Sequence, residues 1–489
     1  MSISLELEKH YAPLIGGEFR DSAVETFDAV DATTGEHLAT ITRSGKAEVD
    51  AAVAAAKKAF PAWAATRRAE RSRLLLRVAD WIEDNVERLV AIDAHDIGRT
   101  VFELPQDYAS AVGQYRYFAA AVMTHDGWSA DVPGGWGLVK REPYGVVGQI
   151  IPWNVPAIMT AYKLAPALAA GNTVVLKPDE NASLSTLELA RQLAEIFPPG
   201  VVNVVPGYGV EAGAALIAHP DVAKLAFTGS PQVGRLIAHA GAERLVPVSL
   251  ELGGKSPNIV FPDIDDLDAV IDNVTFAATF CNGQSCLAGT RLFVHDDIYP
   301  EFTAKLVAAF ESIRIGSPLD PATRLGSLVS AKQGARVLGY LETGKAEANL
   351  LTGGGRVEVP GHEHGWFVAP TVFETENRSR IAQEEIFGPV LSLIRWRDFD
   401  TMIEQANDIV YGLASGVYTS NLRNAMRTAD RLQAGQVWVN SYVALQDGLP
   451  FGGYKESGIG SEVGREALDM YTQLKSIVLR EQVPPPFYV

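Results

Sequence analysis

The two cysteines of this 489-residue chain, Cys281 and Cys286, lie five positions apart within residues 280–290. Cys286 has mostly small and polar neighbours, which would let a substrate carbonyl approach the sulfur of a nucleophilic thiol. The alternative is that both cysteines are buried structural thiols, which is the more common fate of a cysteine. Glu251 ends an apolar run just before the pair Gly253-Gly254 and is a candidate base. A thiol together with such a base is the pattern of covalent catalysis.

The segment Glu251-Leu252-Gly253-Gly254-Lys255 precedes Gly283-Gln284-Ser285-Cys286 by a few dozen residues, and this pair of motifs resembles the aldehyde dehydrogenase superfamily. Further segments are similar to landmarks of that family and follow the same order. These segments are residues 152–154, 177–180, 227–230, 384–389, 435–440 and 450–458. The matches run from about Tyr144 to Gly460, and they imply an NAD(P)-dependent member of the non-acylating type.

The resemblance assigns a role to three side chains. Cys286 would attack the aldehyde carbon, and after hydride loss the resulting thioester would be hydrolysed by water that Glu251 activates. The Asn154 amide, with the backbone N–H of Cys286, would hold the oxyanion. From the residues alone, Asn154 could instead cap a turn and Glu251 could be an ion-paired strand end. Lys163 is either a charge-tuning residue or a solvated lysine, and Cys281 matches no chemical position and is predicted to be structural.

The cofactor residues are also implied by the resemblance. The positions of Lys177 and Glu180 hold the adenine ribose in the family, and a carboxylate there accepts ribose hydroxyls and repels a 2′-phosphate. NAD is therefore favoured over NADP. The turn at Gly229 opens a helix whose free N–H groups suit a pyrophosphate, and Glu385 and Phe387 match residues at the nicotinamide ribose and ring. The complete expected set is Ile151, Trp153, Lys177, Glu180, Gly209, Phe227, Gly229, Ser230, Val233, Leu252, Glu385 and Phe387.

The resemblance also implies a substrate tunnel, whose lining is given by the positions that match tunnel residues of the family. Each of these residues could instead belong to the hydrophobic core. The expected lining is Val155, Met159, Tyr162, Phe280, Ser285, Leu287, Leu445 and Phe451. Most of these side chains are apolar and none is cationic, so a hydrophobic aldehyde is favoured over one with a carboxylate tail. Val155 replaces a common aromatic residue and should widen the tunnel.

The fold must bring these residues together. The alternation of apolar, strand-like runs with helical runs predicts that fold. Strand-helix alternation from Gly145 to Gly254 predicts a parallel sheet with a ligand crevice at the carboxyl ends of its strands. A second alternating series follows from Ser256 to about Ser441. Single elements include a helix over Arg67–Ile92 and a strand over Val368–Phe373.

The predicted fold class is α/β, with a Rossmann-like cofactor domain, a second α/β catalytic domain and a small β-rich oligomerisation element. The expected boundaries are 1–122 and 144–253 for the cofactor domain, 254–460 for the catalytic domain, and 123–143 with 461–489 for the third element. The hairpin around residues 131–137 and the tail at 475–479 match family elements that add strands across subunits, so a homodimer or homotetramer is expected.

Bulk composition narrows the function classes. A net charge of −17 argues against nucleic-acid binding, which depends on clustered Lys and Arg. The scarcity of cysteine suits a reducing compartment, and residues 1–9 lack a signal-peptide pattern, so a cytoplasmic location is expected. The longest uncharged run, Tyr144 to Tyr162, contains two prolines and an asparagine and is predicted to be core rather than a membrane span. The two histidines of residues 361–365 have turn-like spacing, so no metal site is expected.

Two other activities remain open at this stage. A coenzyme A-acylating relative would pass the thioester to coenzyme A, but such relatives commonly lack the base that Glu251 supplies. A thiol esterase could use Cys286 and Glu251 without any cofactor, but it leaves the nucleotide-site segments unexplained. A non-catalytic protein with this fold is disfavoured by the intact set of Cys286, Glu251 and Asn154.

Overall fold

The computed structural model describes residues 5–20 and 25–483. Two segments for which predictions were made lie outside the described residues. They are residues 1–4, in the start expected to lack a signal peptide, and residues 484–489, at the end of the expected third element. The helices are α1 (Lys46–Ala64), α2 (Arg68–Asp84), α3 (Val86–Ile97), α4 (Leu104–Ala121), α5 (Pro156–Ala170), α6 (Leu184–Ile196), α7 (Ala214–Ala218), α8 (Pro231–Arg244), α9 (Leu267–Thr279), α10 (Tyr299–Ser312), α11 (Ala331–Glu347), α12 (Arg380–Gln383), α13 (Phe399–Asn407), α14 (Leu422–Arg431) and α15 (Arg465–Met470).

The strands begin with five short N-terminal pieces and continue to the C-terminal tail. They are β1 (His10–Tyr11), β2 (Leu14–Ile15), β3 (Glu18–Phe19), β4 (Thr26–Val30), β5 (His37–Thr42), β6 (Trp128–Val132), β7 (Gly135–Pro143), β8 (Val146–Ile150), β9 (Thr173–Lys177), β10 (Val202–Val204), β11 (Val222–Thr228), β12 (Val248–Glu251), β13 (Pro257–Val260), β14 (Arg291–His295), β15 (Asn349–Thr352), β16 (Arg356–Val357), β17 (Phe367–Val368), β18 (Thr371–Glu374), β19 (Val390–Trp396), β20 (Tyr411–Gly412), β21 (Ala414–Tyr418), β22 (Gln436–Val439), β23 (Tyr454–Lys455), β24 (Gly458–Ile459) and β25 (Thr472–Arg480).

The first large sheet has the strand order β24-β12-β11-β8-β9-β10-β2-β3. Its five central strands, from β12 to β10, are parallel. Helices connect them because a parallel pair needs a crossover. The central strands are buried and rich in β-branched side chains, as expected for a sheet covered on both faces. Antiparallel strands close the sheet at its edges, with β24 on one side and β2 and β3 on the other.

The second large sheet has the order β15-β18-β19-β14-β13-β21-β22, and it is parallel from β18 to β22. The prediction of one strand over Val368–Phe373 is wrong. The chain forms β17 and then β18, with Pro370 between them. Proline has no N–H for a sheet ladder, and β17 pairs instead with β16 in a separate small sheet. The predicted α/β class with two alternating series is confirmed.

The prediction of one helix over Arg67–Ile92 is also wrong in part. Helix α2 ends at Asp84 and α3 begins at Val86, because Asn85 leaves the helical region with φ −116° and ψ 12°. The Asn85 amide donates to the Trp81 carbonyl at 2.8 Å. An asparagine side chain that bonds to a nearby backbone group competes with helix continuation.

A third, antiparallel sheet joins the predicted hairpin to the predicted tail. Strand β7 pairs with β6 on one side and with β25 on the other. Four of its apolar side chains, Trp128, Trp136, Leu474 and Val478, are more than half exposed in the single chain. Both predicted segments therefore form one three-stranded sheet.

The long uncharged run from Tyr144 to Tyr162 forms β8, the loop after it and the first turns of α5. Most of its apolar side chains lie in or pack against the two hydrophobic clusters around the first sheet. Among the helices of the described residues, none combines the length and the apolar composition needed to cross a bilayer.

Candidate active site

The loop that carries Cys286 follows α9 and is folded in an unusual way. Cys281, Asn282 and Gly283 all have left-handed φ values, of 55°, 57° and 71°. Consecutive left-handed residues other than glycine are rare and persist only when their surroundings hold them. The Asn282 amide donates to the carbonyls of Gly98 and Ser327 at 3.1 and 2.8 Å, and its oxygen accepts from the Gly326 N–H at 2.8 Å. This side chain therefore holds the loop in place.

Cys286 lies on the wall of a cavity of about 490 Å³. The cavity lies at the carboxyl ends of β8, β9, β11 and β12, where a parallel sheet offers backbone N–H groups and helix starts to a ligand. Its other wall comes from the second series, through residues 329–333 and the loop of Glu385 and Phe387. The two α/β units thus enclose one site between them.

Nine of the predicted catalytic and cofactor residues line this one cavity. They are Trp153, Asn154, Glu180, Gly229, Ser230, Leu252, Cys286, Glu385 and Phe387. The rings of Trp153 and Phe387 meet edge to face with centroids 5.3 Å apart. Residues widely separated in the sequence therefore converge on Cys286.

The other five predicted cofactor residues do not line the cavity. Ile151, Lys177 and Phe227 are buried behind it, and the Lys177 ammonium holds the Glu180 carboxylate at 2.9 Å. Val233 is 41% exposed on α8, and its N–H donates to the Ser230 hydroxyl that caps the helix. Gly209 opens a π-helical turn, Gly209–Gly213.

The Asn154 side chain is buried and directed at the cysteine loop. Its amide donates to the Gln284 carbonyl at 2.9 Å, two residues before Cys286. Gln284 is itself fixed, because its side-chain oxygen accepts from the Val329 N–H at 3.1 Å. The Asn154 amide therefore contacts the loop that carries Cys286, and both residues line the same cavity.

Glu251 ends β12 and is 3% exposed. Neither of its carboxylate oxygens has a hydrogen-bond partner among the described residues. Burial raises the pKa of Glu251 well above its usual range; Glu462 raises that pKa further, and Lys163 opposes the shift. A buried carboxyl with a raised pKa and a free oxygen is a suitable general base.

A buried ion pair between Lys163 and Glu462 lies near Glu251. Lys163 is fully buried and also donates to the Thr228 hydroxyl at 2.8 Å, so it is not the solvated lysine that the sequence left open. Glu462 was missed because it follows the last matched motif. Its partner Lys163 lies 299 positions earlier in the chain, so no local sequence pattern indicates the pair.

The cavity also sets the ionisation of the thiol. Burial raises the pKa of Cys286, and the nearby carboxyls of Glu385 and Glu251 raise that pKa further. Burial raises the pKa of Glu385 to about 7, and its carboxylate accepts from the Gly254 N–H at 2.9 Å. The resting thiol is therefore protonated near neutral pH, and reaction requires a base or a cation to produce the thiolate.

The predicted substrate residues do not line this cavity. Except for Ser285, they lie in or pack against one large hydrophobic cluster, and Cys286 packs against the same cluster. The rings of Tyr162 and Phe451 are 6.4 Å apart. The Asp447 carboxylate, in the loop between Leu445 and Phe451, accepts from the Gln114 amide at 2.7 Å. These residues thus form part of one apolar region that Cys286 also contacts.

Cys281 is buried and its backbone N–H donates to the Glu103 carboxylate at 2.8 Å. Sequence reasoning missed Glu103 and its neighbours Arg99 and Asp107, which no matched motif includes. In the described ranges, no group of three or more His, Cys, Asp or Glu side chains is arranged to hold a metal ion. His362 instead forms a hydrogen bond of 2.9 Å with the Thr33 hydroxyl.

Comparison with known proteins identifies the family. A model of the aldehyde dehydrogenase family matches residues 19–477. The chain is 42% identical to an aldehyde dehydrogenase of Deinococcus radiodurans over 481 residues, which are 96% of this chain and 93% of that protein. It is 42% identical to a fluoroacetaldehyde dehydrogenase of Streptantibioticus cattleyicolor over 492 residues, covering 99% and 97% of the two chains.

A solved structure agrees with these matches. The NAD⁺ complex of an aldehyde dehydrogenase from Bacillus cereus superposes with a TM-score of 0.94 at 41% identity, and the match covers 98% of this chain and 100% of that one. The resemblance found in the sequence motifs is confirmed: the chain belongs to the aldehyde dehydrogenase family.

Proposed function

We propose that the protein oxidises a hydrophobic aldehyde to its carboxylic acid with NAD, through a thioester on Cys286. The observation that carries the proposal is the shared cavity, in which Cys286 and Asn154 face the nucleotide-site residues Glu180, Gly229 and Glu385. A thiol, an amide donor and a nucleotide crevice in one cavity are the parts that this reaction needs.

The first step is attack of the Cys286 sulfur on the aldehyde carbon. The thiol proton must leave, and Glu251 or Glu385 can accept it because both carboxyls interact with Cys286. The new C–S bond moves the carbonyl electron pair onto oxygen, and the Asn154 amide stabilises that negative charge. The product is a thiohemiacetal on Cys286.

Bound NAD supplies a hydride acceptor, so that loss of hydride from the reacting carbon leaves a thioester. Water must then attack the thioester carbon. Glu251 takes a proton from that water, the C–S bond breaks, and Cys286 and a carboxylic acid are released. The free oxygens of Glu251 leave it able to bind the water.

The residues present fit a dinucleotide. Ser230 caps α8, whose N-terminal N–H groups suit the pyrophosphate. An added Cβ at Gly253 would lie 2.4 Å from the Glu385 carboxylate, and one at Gly229 would lie 2.4 Å from the Phe227 ring, so the backbone there has no room for side chains. Lys177 and Glu180 would hold the adenine ribose, and Glu385 the nicotinamide ribose.

The preference for NAD over NADP is proposed to depend on Glu180. We expect Glu180→Gln to raise kcat/KM with NADP roughly tenfold and to lower it with NAD, because the variant removes repulsion of a 2′-phosphate while Lys177 remains. The measurement is steady-state kinetics with each cofactor. Glu180→Asp keeps the negative charge and is the control, which should still reject NADP. Equal NADP kinetics in Glu180→Gln and the parent enzyme would refute the role.

The substrate preference is proposed from the apolar region beside Cys286. Met159, Phe280 and Phe451 are nearly fully buried there, so a substrate group that enters this region would meet apolar side chains. The Asp447 carboxylate nearby is unfavourable for an anionic tail. A hydrophobic aldehyde of modest size therefore fits the site better than a semialdehyde.

The test is turnover with a panel of aliphatic, aromatic and carboxylated aldehydes, followed by absorbance of the reduced cofactor. We expect reduction of NAD without coenzyme A, and kcat/KM at least about tenfold higher for hydrophobic aldehydes than for carboxylated ones. Turnover only when coenzyme A is present would favour an acylating enzyme. Ester cleavage without any response to NAD would favour a thiol esterase, and either result would reject the proposal.

We also propose domain boundaries for the chain and its association with further copies of itself. The two large sheets support a cofactor domain of residues 1–122 and 144–253 and a catalytic domain of 254–460. The exposed three-stranded sheet supports the assignment of 123–143 and 461–489 to contacts between copies. Exposed apolar side chains on a sheet mark an interaction surface, so we expect a homodimer or homotetramer.

A further inference from the structure

The segment after α3 contacts both loops of the proposed active site. Gly98 ends α3 with a left-handed φ of 70°, and Arg99 follows it. The Gly98 carbonyl accepts from the Asn282 amide at 3.1 Å, and an added Cβ at Gly326 would lie 2.1 Å from that carbonyl oxygen. Arg99 is therefore held close to the loop that leads to Cys286.

The Arg99 guanidinium is 2% exposed and connects three elements. It donates to the Asn154 backbone carbonyl at 3.3 Å, which fixes the loop after β8. It also forms ion pairs with Asp107 on α4 and, at 3.4 Å, with Glu103. A planar guanidinium with several fixed donors is suited to such bridging, and a lysine ammonium is not.

Glu103 extends the connection to the cysteine loop. Its carboxylate accepts from the Cys281 backbone N–H at 2.8 Å. The Gln284 N–H donates to the Cys281 carbonyl at 2.9 Å, and the Gln284 carbonyl accepts from the Asn154 amide at 2.9 Å. The bonds thus form a closed circuit from Arg99 through Glu103, Cys281, Gln284 and Asn154 back to Arg99.

The charges in this circuit strengthen it. One guanidinium is shared by two carboxylates, Asp107 and Glu103, in a site removed from water. Charge-assisted hydrogen bonds are stronger in such surroundings, and a missing partner leaves a buried charge unpaired. Cys281 has a left-handed backbone that costs free energy, and Glu103 is the partner that satisfies its N–H.

We propose that Arg99 and Glu103 are positioning residues that fix the Cys286 loop against the Asn154 amide. Neither side chain lines the cavity of Cys286, so both act through the loops that they hold. The inference rests on the proposed function, because the distance between thiol and amide matters only if Asn154 stabilises an oxyanion on the carbon that Cys286 attacks.

The decisive comparison is Glu103→Ala with Glu103→Gln. The alanine variant leaves the Cys281 N–H without its acceptor, whereas the glutamine variant keeps an oxygen there. We expect Glu103→Ala to slow the burst of NADH by about tenfold or more, because small displacements of reacting groups are costly. KM for NAD should stay within about twofold, and Glu103→Gln should restore the burst to within about threefold of the parent.

A second readout needs neither cofactor nor aldehyde. Alkylation of Cys286 by iodoacetamide, followed by mass spectrometry of its peptide, should be slowed about fivefold in Glu103→Ala and restored in Glu103→Gln. Glu87→Ala removes an exposed carboxylate from α3 and is the matched control, which should change neither rate. Absence of NAD reduction with every aldehyde of the panel in the parent enzyme would reject the proposed function, while the alkylation rates would still decide the positioning role.

The variants also separate positioning from general stability. If Glu103→Ala does not fold, Arg99→Lys replaces it, since that variant keeps the charge but cannot bridge Asn154 and Glu103 together. It should fold with a Tm close to that of the parent and slow Cys286 alkylation. Alkylation at the parent rate in either folded variant, or equal impairment of Glu103→Ala and Glu103→Gln, would overturn the inference.

Discussion

Replacing Cys286 with alanine is expected to abolish aldehyde oxidation, with kcat lowered by about four orders of magnitude or more. In the proposed reaction the sulfur forms the covalent bond on which every later step depends, and Cys286 is the only cysteine among the described residues that line the cavity. The measurement is NADH formation with a saturating hydrophobic aldehyde. Binding of NAD, followed by calorimetry, should persist in the variant because the nucleotide-site residues are unchanged.

The matched control is Cys281→Ala. Cys281 is buried, its thiol pKa is raised well above the usual range by burial, and its contacts with the site are through its backbone N–H and carbonyl. Alanine keeps that N–H, so activity should stay within about fivefold of the parent. Substantial turnover in Cys286→Ala, or loss of turnover in Cys281→Ala alone, would contradict the assignment of the nucleophile.

The main features of the fold could be predicted from the sequence because they depend on local pattern. Apolar runs such as those of β9 and β13, separated by helical spacing, are sufficient to predict two parallel sheets. The errors have local causes as well: Asn85 interrupts a helix whose apolar spacing continues across it, and Pro370 divides a strand. Hydrophobic periodicity does not show where a single residue, such as Asn85 or Pro370, interrupts a helix or a strand.

The candidate site could be predicted in part for a different reason. Three residues lie in motifs whose residue types indicate catalysis: Cys286, Asn154 and Glu251. The structure brings Cys286 and Asn154 to one cavity, and the Glu251 carboxyl is close enough to interact with Cys286. Arg99 and Glu462 act through contacts with residues far away in sequence, at Asn154 and Lys163. Only the fold creates those neighbours, so their residue types carried no signal beforehand.

Replacing Glu251 with glutamine is expected to separate the two halves of the reaction. The amide cannot accept a proton from water, so steady-state turnover should fall by roughly two to three orders of magnitude. The first burst of NADH should persist within about tenfold, since Glu385 remains as a second acceptor for the thiol proton. Mass spectrometry of the quenched enzyme should then show an acyl group on Cys286.

The pH dependence of thioester hydrolysis also tests whether Glu251 acts as the base. Glu251 works as a base only when it is ionised, and burial and then Glu462 raise its pKa. Hydrolysis of the thioester should therefore increase with pH through that raised pKa. Glu462→Gln removes a negative charge and leaves the Lys163 cation near Glu251, so the pKa of Glu251 should fall and the rising limb should move to lower pH.

The direction in which the rising limb moves distinguishes an electrostatic effect of Glu462 from a loss of packing. A loss of packing in Glu462→Gln would lower the rate at every pH, whereas loss of charge repulsion shifts the limb along the pH axis. The parent enzyme, Glu251→Gln and Glu462→Gln should be compared for steady-state and burst rates across the pH range in which they stay folded. A limb that moves to higher pH in Glu462→Gln, or one that persists in Glu251→Gln, would show that another group activates the water.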